Sequence, residues 1–183
     1  MSLANEIVKQ MLVGGMTPSI AAENPADPDY GFGHGFGIVI KQLLEAQKGR
    51  DRQIPLVPIL LNTYFPPNQP TPAICWQVGQ AIRRAVAELP DNLNVGVLAS
   101  GGISHFVVNE EWDREMMDLM REGDEVKLME IPIPMLQSGN SEILNWIALV
   151  SACQHLAAKW DVYTPIYSQG HREGVGFGFM EWR

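Results

Sequence analysis

A chain of 183 residues, 46 % apolar and 19 % charged, is long enough for one domain with a sizeable core and too apolar to be disordered. Thirteen Lys and Arg against 21 Asp and Glu give a net charge of −8. That balance excludes a nucleic-acid protein, which needs a basic face for phosphates, and speaks against docking on an anionic membrane surface.

In chain order, residues 4–12 have the apolar spacing of a short helix, and residues 38–48 (IVIKQLLEAQK) that of a second one ending at Gly49. IPLVPILLN (54–62) reads as a buried strand, followed by the proline-rich loop YFPPNQPTP. Pro72 then opens a strong helix, AICWQVGQAIRRAVAEL, because proline suits the first helical turn. NVGVLAS (94–100) alternates and is β-branched, so a buried strand is expected there, running into Gly101 and Gly102.

Asn109 is the expected N-cap of EEWDREMMDLMREG, whose three early acids complement the helix dipole. A short helix follows at 124–130, and Ser138 to Trp160 is predicted as the longest helix. DVYTPIYS reads as a strand, and the tail GVGFGFMEW as a loop feeding a final strand. Strands separated by helices predict an α/β domain spanning residues 1–183, with a central sheet flanked by helices and chemistry in the loops beyond the strand ends.

Cys75 and Cys153 stand far apart in apolar surroundings, offering neither a disulfide framework nor zinc spacing, and point to a reducing, cytoplasmic setting. No apolar run is long enough to cross a bilayer. MSLANEIVKQMLVGGM lacks the basic leader of a signal peptide. The glycine runs GFGHGFG and GVGFGFG lack the lysine of a phosphate loop, and no G-x-S-x-G elbow is present.

Four histidines remain as chemistry-bearing candidates. His105 ends ASGGISH, where two glycines allow close backbone approach; it is a catalytic acid–base candidate or a loop histidine bonded to a carbonyl. His34, in DYGFGHGFG, sits in a glycine–aromatic loop that could mould a ring-sized pocket or simply be a loop. His155 is expected to be a structural helix residue, and His171, in SQGHREG, a loop residue. Glu142, in the first turn of the predicted long helix, shares a face with Asn145, Trp146, Leu149 and Cys153; it caps the helix or serves a metal.

Together DYGFGHGFGIVI, IPLVPILLNTYFPPNQPTP, NVGVLASGGISHF and GNSEILNWIA resemble the class III extradiol ring-cleavage dioxygenases, relatives of the protocatechuate 4,5-dioxygenase catalytic subunit. The resemblance runs from about His34 to the C-terminus. It implies the α/β fold of that family and Fe(II)- and O2-dependent opening of a substituted catechol, with iron held by two histidines and a glutamate. By this resemblance His105 matches the acid/base beside the iron, His34 the second pocket histidine, and Glu142 the carboxylate ligand.

The family's two iron-binding histidines lie near its N-terminus, and no histidine precedes His34 here. The resemblance therefore implies an N-terminally truncated domain, the C-terminal portion of such an enzyme. Such a chain lacks part of its Fe(II) site, is inactive alone, and forms a homo-oligomer or takes a partner chain over exposed apolar surface. His171 is the most plausible substitute ligand. Two alternatives stand beside this: a non-catalytic binding or assembly subunit that keeps the fold, and a metal-dependent hydrolase, for which no ligand spacing speaks.

Overall fold

A computed structural model describes residues 2–21, 33–49, 54–90, 92–168 and 173–183. Six α-helices and three strands are present among them: α1 (Leu3–Val13), α2 (His34–Ala46), α3 (Pro72–Ala87), β1 (His105–Val107), α4 (Glu110–Glu122), α5 (Glu125–Met129), α6 (Ile143–Ala152), β2 (Ala158–Tyr167) and β3 (Glu173–Trp182). Short 3-10 turns cover Ile133–Met135 and Ser138–Glu142.

The helix ends follow local chemistry. The Thr71 side chain accepts from the Ile74 N–H ahead of Pro72, Asn109 accepts from Trp112, and Asp124 accepts from Lys127. Gly123, at φ 66°, closes α4 in the left-handed conformation. The core is helical: α3 packs on α1 and α6, burying Cys75, Trp76, Ile82, Ile143 and Ile147 between them. α2 has no buried residue within its helical span.

The three strands form one antiparallel sheet in the order β1-β3-β2. α4 packs against β2 and β3, while Trp160, Val162, Ile166, Phe177 and Phe179 stay exposed. The mixed α and β content matches expectation, but the arrangement corrects the predicted central sheet. Neither 54–62 nor 94–100 is a strand. In 94–100 the expected alternation exists as burial, with Val95, Val97 and Ala99 more covered than Leu98, but no ladder forms. A strand requires a hydrogen-bonding neighbour as well as a pattern, and Pro55 and Pro58 further remove two donors from 54–62.

The predicted long helix 138–160 is also corrected. Its first five residues wind as a 3-10 turn, the α-helix covers only Ile143–Ala152, and Ala158–Trp160 already belong to β2. α3, with 16 residues, is the longest helix among those described. His155 therefore lies exposed in the turn after α6 rather than within it.

Candidate functional site

Two segments build the site: Ser100–His105, leading into β1, and Ser138–Trp146, leading into α6. Four side chains of the second segment, Asn140, Glu142, Asn145 and Trp146, hold the backbone of the first. Asn145 Nδ2 donates to the Ser100 carbonyl at 2.9 Å, Trp146 Nε1 to the Gly101 carbonyl at 2.9 Å, and Asn140 Oδ1 accepts the His105 N–H at 2.8 Å. Of the face expected to carry Glu142, Asn145, Trp146, Leu149 and Cys153, the first three grip the glycine segment, while Leu149 and Cys153 are only partly covered.

Glu142 stands at the junction of the 3-10 turn and α6, not in the first turn of a long helix. Its Oε2 accepts the Gly102 N–H at 2.8 Å and lies 3.3 Å from His105 Nε2. Both side chains are partly covered, with 17 % of His105 and 30 % of Glu142 exposed. A side chain at Gly101 is ruled out: at φ 154° its Cβ would come 2.8 Å from Glu142 Cβ. Gly139 is constrained in the same way, because a Cβ there would sit 2.3 Å from His105 Cβ.

Charges in the pair support one another. The hydrogen bond His105 donates to the Glu142 carboxylate raises the His105 pKa above its ordinary value, against the opposing effect of burial. Burial pushes the Glu142 carboxyl up, but the His105 hydrogen bond, the Gly102 N–H and the charges of His105 and His34 together hold it below the ordinary value. His105 Nδ1 is buried without a well-formed hydrogen bond. Such a pair can exchange a proton with a ligand hydroxyl while Gly102 and Asn140 keep the geometry in place.

The structure thus brings His105 and Glu142 together. His34 begins α2 rather than lying in a loop; it is exposed, and near enough for its charge to act on Glu142. His171 lies outside the described residues. Among the described residues, no three His, Cys, Asp or Glu side chains gather in a way that would hold a metal ion. Glu142 Oε1 is free of hydrogen bonds to described residues, yet one carboxylate does not fit the two-histidine, one-glutamate set that the resemblance implied.

Sequence reasoning missed Asn140, Ser104 and the role of Asp113. Asp113 had the look of a first-turn acid serving the helix dipole, but it is fully buried and bonded to Ser104 and Tyr163. A carboxylate three residues inside the helix, on the side of Trp112, Met116 and Met117, was the available signal.

The glycine-rich segment ending in His105 and the Asn-Ser-Glu turn that clasps it lie within the span matched by a known family. A family model described as the catalytic LigB subunit of aromatic ring-opening dioxygenase covers residues 1–180. The chain belongs to this family. Within the curated proteins it is similar to gallate dioxygenase of Pseudomonas putida, with 28 % identity over 159 residues. That alignment takes in 81 % of this chain and 44 % of the relative, so this LigB-family chain spans less than half of that protein's length. No helix among the described residues is long and apolar enough to cross a membrane.

Proposed function

We propose that this chain supplies the acid–base portion of an extradiol ring-cleaving dioxygenase site, acting with O2 on a polyhydroxylated aromatic of the gallate or substituted-catechol class. The observation that carries this reading is the His105–Glu142 pair, 3.3 Å apart and clamped by Gly102 and Asn140, in a chain whose family opens aromatic rings. His105 exchanges a proton with a ring hydroxyl, and Glu142 orients the imidazole; its free oxygen would be one ligand to Fe(II), which would bind the ring hydroxyls and O2. The described residues do not complete an iron site; under this reading Glu142 would need to be joined by further ligands from His171 or from a companion chain.

The same reading places the chain in the cytoplasm, in keeping with two free cysteines, and gives it a second copy or a companion chain as partner. One observation favours a second reading. The lack of a three-ligand cluster among the described residues suits a non-catalytic binding or assembly subunit.

Anaerobic loading with Fe(II), desalting and iron assay, followed by oxygen uptake with gallate and catechol, separates the two. The dioxygenase reading expects about one iron per chain, lost in Glu142→Ala, and oxygen uptake that His105→Gln suppresses about a hundredfold or more. Wild-type chain that retains no iron, or that holds iron without consuming oxygen, transfers the assignment to the non-catalytic subunit.

A further inference from the structure

Asp113 is a fully buried carboxylate that the proposed chemistry leaves unused. Its Oδ2 accepts the Ser104 hydroxyl at 2.7 Å and the Tyr163 hydroxyl at 2.5 Å, whereas its Oδ1 is buried with no partner. A half-satisfied buried carboxylate is a poor stabilising device, because an apolar side chain of similar size would fill the site at lower desolvation cost. Its value must lie in what it holds.

What it holds is the residue directly before His105. Ser104 is fixed at three points: its hydroxyl donates to Asp113 and accepts the Asn109 N–H at 3.1 Å, and its carbonyl accepts the Gly176 N–H at 2.9 Å. The carboxylate also presses on β3 itself, since a Cβ at Gly176 would lie 2.0 Å from Asp113 Oδ2. On the far side of His105 the chain turns sharply at Phe106, with φ 65°. His105 is therefore suspended between a pinned serine and a left-handed turn, with its register partner Val175 next to Gly176.

We infer that Asp113, acting through Ser104, is a positioning residue that sets the His105 imidazole against Glu142. The inference rests on the proposed role of His105 at the aromatic substrate, but its test requires neither iron nor turnover. The point where a Gly102 Cβ would stand is 2.8 Å from both His105 Cε1 and Val175 Cγ1, so these two atoms lie within nuclear Overhauser reach. With four histidines in the chain, His105→Gln assigns the ring signal.

Ser104→Ala, which cuts the link with little change in volume, is expected to weaken the His105–Val175 cross-peak at least threefold in a protein that still melts cooperatively. Asp113→Asn, which keeps an acceptor oxygen, should retain the cross-peak, and Tyr163→Phe, which cuts the other branch, should leave it near wild-type strength. An undiminished cross-peak in folded Ser104→Ala overturns the inference and leaves Asp113 as core packing. So does a Tyr163→Phe effect as large as that of Ser104→Ala. Failure of the dioxygenase reading would appear only in the iron and oxygen assays, leaving these cross-peaks unaffected.

Discussion

Gly139→Ala is the sharpest perturbation of the candidate site. An added methyl would lie 2.3 Å from His105 Cβ and 2.4 Å from Cγ, whereas carbon atoms normally approach to about 3.5 Å. One side must yield by about 1 Å. The turn has little freedom to do so, because Ser138 sits at φ 57°, Ser141 Oγ bonds the Ser138 carbonyl, and Asn140 holds the His105 N–H. The imidazole moves instead, and 3.3 Å to Glu142 lengthens beyond hydrogen-bonding range. Overpacking costs about 1–3 kcal/mol, offset by roughly 0.4–1 kcal/mol from the stiffer unfolded chain. A net loss of about 1–2 kcal/mol lowers the melting temperature of a protein this size by roughly 2–8 °C. In an iron-loaded, active preparation, a displacement of about 1 Å at the proposed acid–base group should reduce turnover about a hundredfold. Thermal melts followed by circular dichroism, with the His105–Val175 cross-peak as a local probe, check both effects. A wild-type melting temperature together with an unaltered cross-peak would refute the packing argument.

The His105–Glu142 pair also predicts a pH window. Glu142, with its pKa lowered from 4.5, adds stability above that value and loses it as the pH falls through the lowered folded value. His105, raised from 6.5, adds stability below that value and loses it as the pH climbs through the raised folded value. Urea unfolding of wild type and His105→Gln should thus differ most between about pH 4.5 and 6.5, narrowing on both sides; a constant difference from pH 4 to 8 would count against the pair. For the thiols, burial pushes Cys75 up to about 12 and raises half-buried Cys153 less far. A thiol reagent at pH 8 should therefore modify Cys153 first, with Cys75 reacting only on unfolding; equal native-state rates would show that the core around Cys75 opens readily.

Much of the helical scaffold and the centre of the site was legible from local chemistry. Pro72 and Asn109 mark helix starts because a proline avoids, and a short polar side chain satisfies, orphan N–H groups without help from elsewhere in the fold. GGISH and NSEILNW marked His105 and Glu142 through glycines that make room and an acid beside an apolar face. What local pattern could not decide was which partner each segment would meet. NVGVLAS has the alternation of a strand and IPLVPILLN its apolar run, yet neither finds a ladder, whereas the glycine-rich tail does, by pairing with both β1 and β2. Residues 138–142 leave the α-helical path because Asn140 is drawn to the His105 N–H and Gly139 must let that side chain pass. Asp113, one of three acids in a helix's first turn, turns inward only because Ser104 and Tyr163, 9 and 50 residues away in sequence, bring two hydroxyls to it. Caps, turns and amphipathic faces are written within a few residues and could be read there. Strand pairing, the bend before α6 and the buried Asp113 network depend on groups far apart in the chain, and the tertiary structure alone brings those groups within bonding distance.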